Sequence, residues 1–170
     1  MLYDAAATDW LFDGHYLPFL RASFGAATRS ILVQQFVIDP RPDEDERGEV
    51  RYLLHALAEA AHRGLDVRVL LAEVLVERPL PIDLNEPAAR FLCARGVSVR
   101  RVPERTGIQL HAKSILIDGE LVISGSHNWT PGAFQGNTES SVAIMSVDAC
   151  LLLTQRFEAL WAGAEEYPHG

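Results

Sequence analysis

The stretch Ser114 to Ser124, SILIDGELVIS, constrains the fold more than any other part of the chain. Two apolar, β-favouring runs flank Asp118-Gly119, and an Asp-Gly pair suits a type I′ hairpin turn because both central residues need positive φ. Polar side chains bracket the hairpin: His111 and Lys113 precede it, and Gly125-Ser126-His127-Asn128 follow. Side chains two apart on a strand share a face, so an extended segment here puts His111 beside Lys113. A two-residue turn would pair Ile117 with Glu120, Lys113 with Ser124 and His111 with Ser126, and a bulge would shift that register. One hairpin then gathers His111, Lys113, Ser124 and Ser126, with Asn128 next along. Such a patch combines a nucleophile or base, a cation and several hydrogen-bond donors.

Lys113 is the single lysine in a chain that carries 14 arginines. A sequence that uses arginine everywhere else has a reason to keep one compact ammonium, which acts as a point charge where a planar guanidinium does not.

The order His111-x-Lys113, four residues, Asp118, six residues, Gly125-Ser126-x-Asn128 resembles the HxK(x)4D(x)6GSxN signature of the phospholipase D superfamily. The resemblance implies an α/β fold, a mixed sheet flanked by helices on both faces, in a single domain over residues 1–170 with its motif region at 109–139. It is similar in size to the small dimeric bacterial endonuclease-type members. Members that cleave phosphodiesters resemble one another in using two motif copies across a two-fold axis, and this chain has one. A symmetric homodimer would supply the second.

The resemblance further implies that a neutral His111 attacks phosphorus to give a phosphohistidine, while its protonated counterpart donates to the leaving oxygen. Histidine suits both roles because its ordinary pKa of about 6.5 leaves either form accessible near neutrality. Lys113, Asn128 and Ser126 would balance charge on the non-bridging oxygens. Glu139 is implied to orient the His111 ring, as the acidic member of a catalytic triad does. Asp118 and Gly125 are read as structural parts of the motif. Candidate substrate contacts are Gln35, Ser124, Trp129 and Arg105. No metal and no cofactor is required by this set. His127 occupies a variable position of the signature and is read as a neighbour.

Composition limits the substrate classes. The formal charge is −8, and an acidic surface repels polyanions in general. Arg95 to Ile117 runs the other way, with five basic residues (Arg95, Arg100, Arg101, Arg105, Lys113) against Glu104, so a local basic rim beside the motif is open. The acidic start, with Asp4, Asp9 and Asp13, is unlike a secretory signal, and no run is long and apolar enough to span a membrane. Cys93 and Cys150 have neither disulfide nor metal-site spacing, as expected of free thiols in a reducing cytoplasm. Three readings stay open: a nuclease, a lipid phosphodiesterase of the same chemistry acting on phospholipid, and a non-catalytic nucleic-acid-binding or regulatory module.

Along the chain, periodicity predicts helices over Tyr16–Ala27, Glu49–Arg63 and Glu86–Arg95, and a last helix from a cap at Asp148 to Trp161. Strands are expected over Ser30–Ile38, Leu65–Ala72, Val97–Val102 and Glu139–Val147, the first two forming a parallel βαβ unit. Pro40–Gly48, Glu73–Asn85 and Trp129–Asn137 read as loops.

Overall fold

Ser30-Ile-Leu-Val-Gln-Gln is apolar on both faces, as a strand in the middle of a two-sided sheet must be. The computed structural model, which describes residues 7–40, 48–76, 82–104, 107 and 109–167, puts it there. In chain order the elements are β1 (Ala7–Phe12), a 3₁₀ turn (Asp13–His15), α1 (Tyr16–Ala26), β2 (Ser30–Gln35), α2 (Glu49–His62) and β3 (Asp66–Ala72). A short pair, β4 (Leu75–Val76) and β5 (Ile82–Asp83), precedes α3 (Glu86–Cys93) and β6 (Ser98–Val102). The motif hairpin is β7 (Ser114–Ile117) and β8 (Leu121–Gly125), followed by α4 (Pro131–Gln135), β9 (Ser140–Met145), α5 (Val147–Gly163) and β10 (Glu165–Glu166). Among the described residues the main sheet runs β1-β9-β8-β7-β2-β3-β6-β10. β2, β3 and β6 are mutually parallel, and the remaining pairs are antiparallel.

The alternation of side chains sorts the core into two layers. Ile31, Val33, Val69, Leu71, Ile115 and Ile117 face Leu20 and Phe24 of α1, Leu53 and Leu57 of α2, and Leu92 of α3. Leu32, Leu70, Leu116 and Val122 face Cys150 and Phe157 of α5. Each fully buried side chain of this size contributes about 1.5–3 kcal/mol of transfer free energy. The sheet is therefore mixed and flanked by helices on both faces, as expected.

The structure differs from the sequence reading at several joints. β1 was not anticipated; it pairs Trp10 with Val142 and Phe12 with Ser140 along β9. The 73–85 segment contains the β4–β5 pair, and the 129–137 segment contains α4, capped by Thr130 Oγ1 accepting from Ala133 N at 3.2 Å. Ser146, not Asp148, caps α5, its Oγ accepting from Ala149 N at 3.2 Å. Most of the acidic Pro40–Gly48 loop lies outside the described residues.

The hairpin register is also shifted by one. Asp118 (φ 55°) and Gly119 (φ 70°) have the predicted positive φ. Glu120, however, joins the turn, so Ile117 pairs with Leu121 and Ser114 with Ser124. Glu120 is drawn out of the ladder because its carbonyl accepts from Ser146 N at 2.8 Å and its carboxylate pairs with Arg29 at 2.8 Å. Asp118 ties the turn to the start of β2 by accepting from Thr28 N (2.8 Å), Arg29 N (2.7 Å) and Ser30 N (2.9 Å). Partial burial raises its pKa, but these hydrogen bonds outweigh that effect and hold the carboxyl below its usual value.

Candidate active site

The signature residues other than Asp118 meet at one end of the sheet, where β1, β2 and β8 finish and β7 and β9 begin, while Asp118 sits in the β7–β8 turn at the opposite end. His111 and Lys113 lie just before β7 rather than on it. The His111 ring is exposed and rests on Phe36, the residue after β2, with ring centroids 4.7 Å apart. Lys113 is 7% exposed. Its ammonium donates to the His111 carbonyl at 2.8 Å, lies 3.2 Å from Nε2 of that ring, and sits 4.9 Å from the Phe36 ring centre. Burial lowers the Lys113 pKa, and the Glu139 carboxylate opposes the fall. The result is an exposed imidazole beside a largely buried cation, an arrangement that attracts an anionic group and stabilises added negative charge.

Gly125 lets β8 reach this end. A Cβ there would stand 2.2 Å from Ser141 Oγ and 2.4 Å from both Ser140 O and Ser141 Cα, so only glycine permits the close crossing of β9. The crossing brings Ser126 to Glu139. Ser126 Oγ donates to Glu139 Oε2 and accepts from Ser140 N at 3.0 Å. Asn137 Nδ2 donates to the other carboxylate oxygen at 3.0 Å. The Glu139 carboxylate is thus engaged by Ser126 and Asn137, while the His111 ring lies against Lys113 and Phe36. Within one chain Glu139 orients Ser126 and bears on Lys113, and the expected hold on the His111 ring is not among these contacts.

Asn128 is half-buried, and its Oδ1 is buried without a hydrogen-bond partner among the described residues. Its neighbours are pinned. Trp129 N donates to Val37 O at 3.0 Å, Asp39 N donates to Trp129 O at 2.8 Å, and Gln35 Nε2 donates to His127 O at 3.3 Å. His127 is fully buried, stacked on Tyr16 with centroids 4.0 Å apart, its Nδ1 2.8 Å from Ser141 Oγ. Burial lowers its pKa against the pull of Glu139 and Asp13, which favours a neutral ring at physiological pH.

Three proposed substrate contacts are placed differently. Trp129 has no exposed surface; its indole N–H donates to Tyr16 Oη at 3.3 Å beneath the loop, so it packs and cannot stack on a ligand. Gln35 is equally buried and props the backbone at His127 from behind. Ser124, opposite Ser114, shares a face with Ser114 and Gln34 on the α5 side, the consequence of the one-residue register shift. Arg105 lies outside the described residues. The basic rim is also largely neutralised: Arg100 pairs with Glu166 at 3.0 Å, and Arg101 with Glu73 at 3.2 Å and Glu165 at 3.5 Å. Arg95 covers the end of α3, donating to Phe91 O at 3.0 Å.

Beside Phe36 a cleft of ≈ 430 Å³ opens over the ends of β3 and β6, walled by Val102, Leu110, Glu73 and Glu104. Sequence reasoning missed Asp13, at the end of β1. It has φ 41°, accepts from Glu139 N at 2.7 Å through Oδ1, and donates from its own N to Glu139 O at 3.1 Å. The Asp13-Gly14 dipeptide after an alternating Thr8, Trp10, Phe12 run was the available signal.

A model of the "Cardiolipin synthase, PLD-like domain" family matches residues 20–161, which includes every signature position. The chain belongs to the phospholipase D-like family. It is 33% identical over 137 residues to a mitochondrial cardiolipin hydrolase of Chlamydomonas reinhardtii, covering 81% of this chain and 53% of that protein. It therefore spans about half the length of that relative. Among solved structures it is similar to a phospholipase D family member, Nuc, from Salmonella typhimurium, with TM-score 0.77 and 19% identity over 96% of this chain and 99% of that one. NucT from Helicobacter pylori gives TM-score 0.72 at 14% identity, with 96% and 100% coverage. At these identities the structural likeness speaks to fold. No helix among the described residues is long and apolar enough to cross a membrane.

Proposed function

We propose that this chain is a metal-independent phosphodiesterase whose site is completed by a second copy of itself. The carrying observation is the exposed His111 imidazole set beside the Lys113 ammonium, 3.2 Å away, in a chain with one such motif. A ring nitrogen of His111 attacks phosphorus, forming a P–N bond as the P–O bond to the leaving group breaks. The protonated His111 of the partner subunit gives its proton to the leaving oxygen. Water then attacks the phosphohistidine and yields its proton to that same, now neutral, partner imidazole; the P–N bond breaks and His111 is restored. Lys113, with Ser126 and Asn128, carries the charge on the non-bridging oxygens.

Nucleic acid is the substrate that the single short motif-bearing domain supports, by resemblance to the small endonuclease-type members. A phospholipid diester is the second reading. It is favoured by the ion-paired state of Arg100 and Arg101, by the carboxylates of Glu73 and Glu104 in the cleft, and by the curated relative that is a cardiolipin hydrolase. The test is hydrolysis of bis(p-nitrophenyl) phosphate in excess EDTA by the protein and by His111→Asn, followed by single-stranded DNA, RNA and cardiolipin vesicles as competing substrates. Turnover in EDTA that the variant lacks supports the reading. No turnover on any of the four overturns it. Cleavage that weakens steeply with salt marks a polyanion substrate, and cleavage confined to vesicles marks the lipid.

A further inference from the structure

We propose that Asp13, outside the signature and at the far edge of the sheet in sequence order, is a positioning residue for this site. It fixes the start of β9 so that the Glu139 carboxylate is held at Ser126 and beside Lys113. The proposal rests on the phosphodiesterase reading for its kinetic consequence and on geometry for everything else. The β1–β9 ladder ends with Phe12 opposite Ser140. At the next residue the chain must turn into the 3₁₀ segment and α1, and Asp13 does so at φ 41°. That conformation swings its own carbonyl out of the ladder, where it accepts instead from Tyr16 N. The side chain then takes over the lost acceptor position: Oδ1 receives Glu139 N at 2.7 Å, while Asp13 N still donates to Glu139 O at 3.1 Å.

A non-glycine residue at positive φ is strained, and such residues gather where the surroundings over-determine them. Asparagine and aspartate reach this region most easily, because their short polar side chains bond to nearby backbone. Here the bond is made to the one backbone N–H whose residue carries the carboxylate of the site. Glu139 in turn accepts from Ser126 Oγ and Asn137 Nδ2. The linkage runs from Asp13 through the Glu139 backbone to Ser126 and to the field at Lys113. The titratable groups bearing on the Lys113 ammonium among the described residues are His111 in its own segment and Glu139 from β9.

The single lysine makes this testable without activity. Protein labelled with ¹³C at the lysine side chain gives one Lys113 titration curve. In Asp13→Ala the Glu139 backbone loses its anchor and the carboxylate it carries drifts from Lys113, so the Lys113 midpoint moves to lower pH than in the unaltered protein. Asp13→Asn, which keeps an acceptor oxygen, returns it. In kinetics, kcat on bis(p-nitrophenyl) phosphate falls about tenfold in Asp13→Ala, equivalent to about 1.4 kcal/mol at the transition state, with KM within twofold, and Asp13→Asn recovers most of it. Asp13→Gly, free of the positive-φ strain but lacking the acceptor, replaces Asp13→Ala if that variant does not fold, with the same expectation. A Lys113 curve unchanged in the acceptor-free variant overturns the proposal, as does an Asp13→Asn loss equal to that of Asp13→Ala. An unaltered protein inactive on every diester overturns the phosphodiesterase reading alone, since the Lys113 titration still decides the role of Asp13.

Discussion

One methyl group at Gly125 is enough to prise the site apart. In Gly125→Ala the new Cβ meets Ser140 O at 2.4 Å, whereas ordinary contact begins at 3.4 Å, so β8 and β9 must separate by about 1 Å at this point. The obstacle is backbone and a short serine, neither of which can swing away as a flexible side chain could. A separation of that size stretches the Ser126 N to Ser140 O bond, now 3.0 Å, beyond hydrogen-bonding range. Overpacking costs about 1–3 kcal/mol, and the lost bond about 1 kcal/mol more. The sum, about 2–4 kcal/mol, lowers Tm by roughly 5–15 °C for a chain of this length. Thermal melting followed by circular dichroism and urea titration of the same samples measure both quantities. Activity should fall further than the residual folded fraction explains, because Ser126 moves away from Glu139. A Gly125→Ala protein that melts within about 2 °C of the unaltered chain would refute the close crossing of β8 and β9 on which the site geometry depends.

Two other substitutions probe the supports of the site. Asp118→Ala removes the acceptor for Thr28, Arg29 and Ser30, a loss of about 2 kcal/mol given partial exposure. Because the folded-state pKa of Asp118 lies below its unfolded value, its stabilisation is complete above the unfolded pKa, about 4, and vanishes as pH falls through the lower folded value. Urea midpoints measured from neutral pH down to about pH 2 should therefore decline less steeply in acid for the variant than for the unaltered protein. Trp129→Phe deletes the indole donor to Tyr16 and part of a fully buried side chain, so it lowers Tm while leaving KM for a small diester unchanged. A raised KM with unchanged Tm would restore Trp129 as a substrate contact.

What could be read from the sequence follows the range of the physics involved. Short-range signals were legible: the Asp118-Gly119 turn, the α2 stop at Gly64 with φ 90°, and the apolar two-faced β2 all stand as their residue types dictate. The sidedness of the hairpin was not, because a third turn residue depends on Ser146 and Arg29, which are distant in sequence from Glu120 or carry no local signal. Trp129 and Gln35 show the same limit. A large aromatic and an amide look alike in sequence whether they line a cleft or lie beneath it, and here the Tyr16 hydroxyl and the His127 carbonyl decide the matter. Asp13 was hidden for a different reason. Its strand is at the sheet edge with mostly exposed side chains, so hydrophobic periodicity gives little signal, and its partner Glu139 is contributed by the other end of the chain.

The most direct test of a paired site is subunit mixing. The unaltered chain and His111→Asn are unfolded and refolded together in varied ratio, with light scattering to establish the oligomer and bis(p-nitrophenyl) phosphate in EDTA as the assay. If each reaction needs one His111 from either subunit, only dimers of two unaltered chains turn over. Activity then follows the square of the unaltered fraction, about one quarter of full activity at equal amounts. Activity proportional to that fraction, about one half at equal amounts, or full turnover from a monomer, would contradict the shared site.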